Sequence, residues 1–235
     1  MESKIIAIHQ PNFFPWLGFF NKIYNSDAFV YLNHVENNPR TSIYTKRVKI
    51  LVNKQEYWLT VSLKSEPQVV FMPINEMRID NPERLKDKQL KTWELTYKKA
   101  PYFNNTFHLI ENFYNNPSPF IAERNITCID EICKTLNITT TKVNSDSLYL
   151  KSTSNELLID IIKQLKGTVY RAGGGAQGYQ QDELFIKNGI ALSPQKFQHP
   201  VYKQYNSSNF VAGLSIIDAL MNLGFLETEL LIKNA

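Results

Sequence analysis

Apolar and polar positions alternate in short and long rhythms at both ends of the chain, and a different rhythm fills the middle. Ile5 to Ile8 is an uninterrupted apolar run, the mark of a strand buried on both faces. Leu17 to Asn25 has helical spacing, and Ala28 to Leu32 is a second apolar run bounded by Asp27 and Asn33. Together they predict a βαβ unit with a tight first connection. Arg47 to Val52 and Tyr57 to Leu63 predict a hairpin-like pair around Asn53-Lys54, with Trp58 and Thr60 alternating against Leu59 and Val61. Ile74 to Ile79 predicts one more short strand.

From Pro82 to Leu136 the pattern becomes helical. Pro82 marks a helix start, Leu85 to Lys98 carries apolar positions three to four apart, and Thr106 to Tyr114 and Pro119 to Leu136 follow, punctuated by Pro101, Pro117 and Pro119. The linkers here are short and hold no Gly/Ser-rich stretch, so the block reads as an inserted helical layer rather than an independent domain. The α/β alternation then returns: a strand over Thr139 to Val143, a helix from Ser154 through Leu165, a strand over Thr168 to Arg171, a helix over Gln180 to Lys187 and a strand over Ile190 to Leu192. A last amphipathic region, Ile216 to Leu223, is expected to stop at Gly224 with a polar tail after it. The pattern predicts one α/β domain over residues 1–235, built on a mainly parallel, Rossmann-like sheet flanked by helices, with the helical insertion at about 82–136. The N-terminal strand, turn and helix also look like the nucleotidyltransferase type of adenylate-forming fold.

Composition narrows the function classes. The 43% apolar and 20% charged fractions are those of an ordinary globular protein. A net charge of +4 is mild, and the basic residues are spread out except for Lys46-Arg47-Lys49 and Lys86-Asp87-Lys88, so no Lys/Arg stripe marks a nucleic-acid footprint. An anionic small-molecule substrate remains compatible. The two cysteines, Cys128 and Cys133, sit five apart in a helical segment and match neither a disulfide framework nor a zinc site, which points to core thiols in a reducing compartment. No signal peptide and no membrane span are evident, so the expectation is a cytoplasmic protein.

Four places carry candidate chemistry. His9-Gln10 follows the first strand in the stretch His9 to Gly18, where Pro11 and Pro15 forbid helix and hold the aromatic side chains of Phe14 and Trp16. An imidazole there lies where open α/β sheets bind ligands and can act as a general base, with Gln10 offering both donor and acceptor; a structural histidine in a proline turn is the alternative. Tyr170 to Tyr179 reads strand, glycine-rich loop, helix, and Gly173, Gly174 and Gly175 would let backbone amides approach an anion, or else serve only the turn. This loop is neither a P-loop nor a dinucleotide fingerprint. Third, His199, Tyr202 and Gln204 crowd one loop and either orient a hydroxyl-rich substrate or cap the surface. Fourth, His34, Arg40, Lys46 and Arg47 follow the second strand, on the same sheet edge as His9 if the two strands are parallel. They neutralise a phosphate or carboxylate, or form a solvated basic loop. Asp218, three residues after Ser215, reads as completing a capping box. The four histidines are far apart and no cluster has metal-ligand spacing, and no Gly-x-Ser-x-Gly elbow marks a nucleophilic serine.

The blocks His9 to Gly18, Ser26 to Val30, Trp58 to Val61, Lys99 to Phe103, Tyr170 to Tyr179, His199 to Tyr202 and Leu214 to Asp218 together resemble the WbqC-like protein family, in order over about residues 5–224. The resemblance implies a role in bacterial O-antigen or related surface-polysaccharide pathways, with transfer of glycine or another acyl group to an amino sugar. It implies a nucleotide-linked amino sugar as partner and an acyl or aminoacyl donor of unspecified identity, and it calls for no metal or other cofactor. On that reading His9 takes the proton from the attacking amine. Gln10 and the amides of Gly173 to Gly175 hold the oxyanion or a phosphate, and Arg40, Arg47, His199 and Tyr202 position the substrate. Similar proteins often carry an acid where this chain has Asn33, and a Trp/Arg-rich stretch where it has Thr41 to Thr45. Two rivals share the same residues. One is a ligase or nucleotidyltransferase-like enzyme activating a carboxylate with ATP and Mg²⁺; the other is a sugar-binding subunit without catalysis.

Overall fold

The computed structural model describes residues 3–38, 42–65, 71–173, 181–205 and 207–235. Its centre is a five-stranded sheet formed by β1 (Ile5–His9), β2 (Ala28–Tyr31), β5 (Thr141–Asn144), β6 (Val169–Arg171) and β7 (Ala191–Leu192). The order is β5-β2-β1-β6-β7 and every neighbouring pair is parallel, so the Rossmann-like expectation holds. From β1 the chain builds outward to β2 and β5, then returns to the other side of β1 for β6 and β7. The crevice at the carboxyl ends of β1 and β6 is therefore the topological switch point, the usual ligand position in such sheets. β3 (Arg47–Val52) and β4 (Gln55–Thr60) form a separate antiparallel hairpin.

Side-chain alternation gives the sheet two distinct faces. Ile6, Ile8, Ala28, Val30 and Tyr170 point to one side, where they meet Leu157, Leu158, Ile161 and Ile162 of α5 (Ser154–Gln164) and Phe185 of α6 (Asp182–Lys187). Ala7, Phe29 and Tyr31 point to the other. There they pack with α1 (Leu17–Tyr24), α2 (Pro82–Tyr97), α3 (Phe103–Asn115), α4 (Ile121–Thr135), α7 (Ile216–Asn234) and the hairpin. Asn81 caps α2 by accepting from the Arg84 amide, with Pro82 in the first turn, where its missing N–H costs nothing. Cys128 and Cys133 are both buried in α4 as free thiols.

Three expectations are corrected. Ile74 to Ile79 is not a strand: Ile74–Glu76 forms a 3₁₀ turn, and Leu63↔Ile79 and Arg78↔Phe120 make only single bridges. The reason lies in the neighbouring backbone, since Ile74 N donates to Val35 O and Asn75 N to Asn33 O instead of to a ladder. The second hairpin strand begins at Gln55, because Asn53 (φ 50°) and Lys54 (φ 65°) make a two-residue turn that sets Gln55 opposite Val52. Finally, α7 breaks at Gly224 (φ 76°) but resumes. A Cβ there would lie 2.8 Å from the Tyr102 ring, so glycine is required twice over. The segment beyond is no polar tail: Thr228 and Ile232 are buried, and Asn21 Nδ2 donates to Ile232 O and Ala235 O.

Candidate functional site

The turn that leaves β1 is fixed from three directions. Asn125 of α4 donates to the carbonyls of Pro11 and Thr45, Phe13 N donates to Tyr44 O, and Ile216 N donates to Pro15 O. Phe14 sits at φ 39°, a conformation that costs a non-glycine residue on the order of 1–3 kcal/mol. It is held by Phe13, Trp93 and Phe113 around its ring and by the Ser215 hydroxyl on its carbonyl. The proline-rich segment is thus a braced support, and the cavity opens on its outer side.

That cavity has a volume of about 500 Å³, within the usual range of small-molecule sites. His9 lines it at the carboxyl end of β1. Its Nδ1 lies 3.0 Å from the Gln10 carbonyl, which can only accept, so Nδ1 carries the proton and Nε2 is left as the acceptor. Burial, and then the charge of Lys22, push the imidazole down to about 4. It is therefore neutral across physiological pH.

Lys22 comes from α1 and is 2% exposed. Its Nζ donates to Ile8 O at 2.8 Å. Burial, reinforced by the charge of Arg171, lowers this ammonium to about 7. Gly173 completes this end of the cavity; a Cβ there would lie 3.6 Å from Lys22 Nζ. Gln195 ties the loop beyond β7 to α1 through bonds to Gly18 O and Asn21 Oδ1.

Aromatic groups form the walls. The Trp16 indole lies over Gly18, where a Cβ would come within 2.2 Å of the ring, and it meets Phe197 and His199 at 5.2 and 5.0 Å. From the hairpin, the Arg47 guanidinium stacks 4.3 Å above Trp58, a cation–π contact, and its buried Nε has no hydrogen-bond partner among the described residues. Lys49 is paired with Glu56 at 3.1 Å. Burial and then Lys49 hold His199 below its ordinary range. Lys22, Arg47 and Lys49 thus line a cavity that no Asp or Glu among the described residues lines.

The structure brings His9, Trp16, Arg47, Gly173 and His199 to this one cavity. Gln10 stands beside it and contributes its backbone carbonyl to His9. Other candidates lie elsewhere. Phe14 is in the core, and Tyr170 stacks on Phe185 on the opposite face of the sheet, as its pairing with Ile6 requires. His34 Nδ1 meets Ser145 Oγ at 2.5 Å, between the ends of β2 and β5. Lys46 follows the 3₁₀ turn Ile43–Thr45 and is absent from the lining. Tyr202 and Gln204 both donate to Asp218 Oδ1, at 2.8 and 3.0 Å. Arg40, Gly174, Gly175 and Tyr179 lie outside the described residues.

Asp218 does not complete a capping box. Ser215 caps α7 through its own hydroxyl, which accepts from Ile217 N. The Asp218 carboxylate instead accepts from Tyr97, Tyr202 and Gln204 in the interior. Sequence reasoning also missed Lys22, Trp58, Lys49 and Gln195. A signal for Lys22 existed: α1, LGFFNKIY, has no polar face wide enough to rest in water, and every residue from Leu17 to Ile23 is buried.

Comparison with known proteins gives a family but no activity. The model of the WbqC-like protein family matches residues 10–229. An uncharacterized protein of Mycobacterium tuberculosis, Rv1507c, is 25% identical over 224 residues, covering 94% of each chain. No solved structure gives a significant match.

Proposed function

The chain belongs to the WbqC-like protein family, and from that premise we propose that it is an enzyme transferring an acyl or aminoacyl group to the amine of a nucleotide-linked amino sugar in bacterial surface-polysaccharide synthesis. The observation that carries the reading is the state of His9: neutral, with Nε2 as its acceptor, at the switch point of a cationic, aromatic-walled cavity. The sugar amine attacks the carbonyl carbon of an activated acyl donor, and a C–N bond forms as the carbonyl electrons move to oxygen. His9 Nε2 takes the proton released by the amine. The oxyanion collapses, the bond to the leaving group breaks, and the proton passes to that group. An anionic substrate offsets the Lys22 charge that depresses His9, so the imidazole becomes more basic when the site fills. Trp16, Trp58 and His199 provide flat surfaces for a ring, and Arg47 a fixed cation beside them.

The test compares the surface polysaccharide of cells with the gene intact, deleted, or restored as His9→Ala, reading N-acyl groups by mass spectrometry and NMR. One N-acyl substituent should vanish on deletion, and purified His9→Ala should transfer on the order of 10²–10⁴ times more slowly. Unchanged N-acylation in the deletion strain, or full turnover by folded His9→Ala, overturns the assignment. ATP dependence with pyrophosphate release would instead indicate carboxylate activation.

A further inference from the structure

Lys22 is buried and feels the charge of Arg171, a partly buried cation at the end of β6. Lys22 spends one ammonium proton on Ile8 O, and Arg171 Nε is buried with no hydrogen-bond partner among the described residues. Arg171 is in register with Ala7, so it shares the sheet face of His9 and α1. Withdrawing a charge from water is costly unless it is paired, and here the Lys22 side chain and the Arg171 Nε are both withdrawn. Lys22 and Gly173 line the cavity, Arg171 does not, and no Asp or Glu among the described residues lines it. The two cations also sit at the β1/β6 crevice, where the order of the sheet places ligands. At Gly173 the one described atom that a Cβ would meet within 4 Å is Lys22 Nζ, at 3.6 Å, so among the described residues no side chain covers that flank of the ammonium.

We propose that Lys22, Arg171 and the bare edge of Gly173 form a binding site for a phosphoryl group at the β1/β6 crevice. Two cations call for a dianion, which a phosphoryl group supplies and a carboxylate does not. The inference deepens the transferase reading, on which it rests for the placement of substrate in this cavity, by naming the charged handle of the acceptor. Lys22 at about 7 is largely neutral in the empty site at pH 8, so phosphate binding there takes up a proton. Arg171 from β6 and His9 from β1 interact with Lys22 electrostatically, and Arg47 and the Glu56-paired Lys49 from β3 line the same cavity with His199.

The experiment is calorimetric titration of the full chain with inorganic phosphate at pH 8, in two buffers of different ionisation enthalpy, with acetate as the singly charged comparison. Lys22→Met, Lys22→Arg and Arg171→Gln are run beside it, and their thermal unfolding checks the fold. Phosphate should bind with proton uptake and more tightly than acetate. Lys22→Met should weaken it roughly 10- to 100-fold and abolish the uptake, while Lys22→Arg retains most affinity. Should Lys22→Met fail to fold, a comparable weakening in Arg171→Gln carries the same weight. Equal phosphate affinity in wild type and folded variants, acetate binding as tight as phosphate, or no phosphate binding at millimolar concentration overturns the site. Because the readout is binding, phosphate capture without any change in N-acylation removes the transferase reading alone, and N-acyl transfer without phosphate capture removes this site alone.

Discussion

Two buried polar clusters in this molecule have opposite character. Around Asp218 the polar groups are provided for: its carboxylate accepts from Tyr97 at 3.0 Å, Tyr202 at 2.8 Å and Gln204 at 3.0 Å, and Gln204 also exchanges bonds with Val211. Around Lys22 the reverse holds, with two cations, one backbone carbonyl and no acid lining the adjacent cavity among the described residues. A fold supports a satisfied network at little cost, whereas an unsatisfied one persists where something outside the chain completes it. The Asp218 cluster therefore reads as a bolt that fastens the loop through Tyr202 and Gln204 to α2 and α7. The Lys22 cluster reads as half of a binding interaction.

Breaking the bolt gives the largest expected effect. Asp218→Ala leaves two phenols and an amide in the interior without their acceptor, so stability should fall by about 3–5 kcal/mol in urea unfolding. Asp218→Asn keeps an acceptor and should cost well under half of that. If Asp218→Ala unfolds at the wild-type urea midpoint but no longer binds phosphate, the two clusters do not differ in the way described.

Lys22→Met should move stability in the other direction. It replaces a buried, uncompensated ammonium by an apolar chain of similar length, and the ligand-free protein should gain about 1–3 kcal/mol. The pH dependence identifies the origin of the gain. Lys22 has an ordinary value of 10.5 and is held at about 7 in the fold. Between those limits the unfolded chain binds more protons than the folded one, so this group makes the wild type more stable as pH rises through the window. Its cost is fully present below about pH 7. Lys22→Met should lack that rise, and its advantage should shrink toward pH 10. An advantage that stays constant with pH would trace to packing instead of charge.

Most of the framework was legible because parallel strands buried on both faces leave near-continuous apolar runs, as in Ile5 to Ile8 and Ala28 to Tyr31. Tyr170 shows where this stops. Nothing in its local sequence reveals that register with Ile6 turns it away from His9, whereas Arg171, one residue on, faces the site side. His9, Trp16, Arg47, Gly173 and His199 were chosen for residue type at loop or strand ends, and they share one cavity. Trp58 and Lys49 escaped because a hairpin with an exposed face looks like any surface ribbon until its docking is known. Asp218 escaped for a different reason: its position three residues after Ser215 mimics a cap, and its true partners lie up to 121 residues away.

Gly173→Ala is the smallest and sharpest change. No left-handed backbone angle restricts that position, and among the described residues the added methyl would meet only Lys22 Nζ, at an ordinary contact distance of 3.6 Å. The fold therefore has room for alanine, and the unfolding midpoint should stay within about 0.5 kcal/mol of wild type. The methyl nevertheless occupies the side from which an oxyanion would approach the ammonium, so phosphate affinity should fall roughly 5- to 10-fold, on the order of 1 kcal/mol. Loss of affinity at unchanged stability places a ligand against this glycine, since a purely structural turn would show the opposite pairing. Unchanged affinity in Gly173→Ala together with weakened binding in Lys22→Met would move the phosphoryl group to the His9 side of the ammonium and leave the cation pair as the anchor.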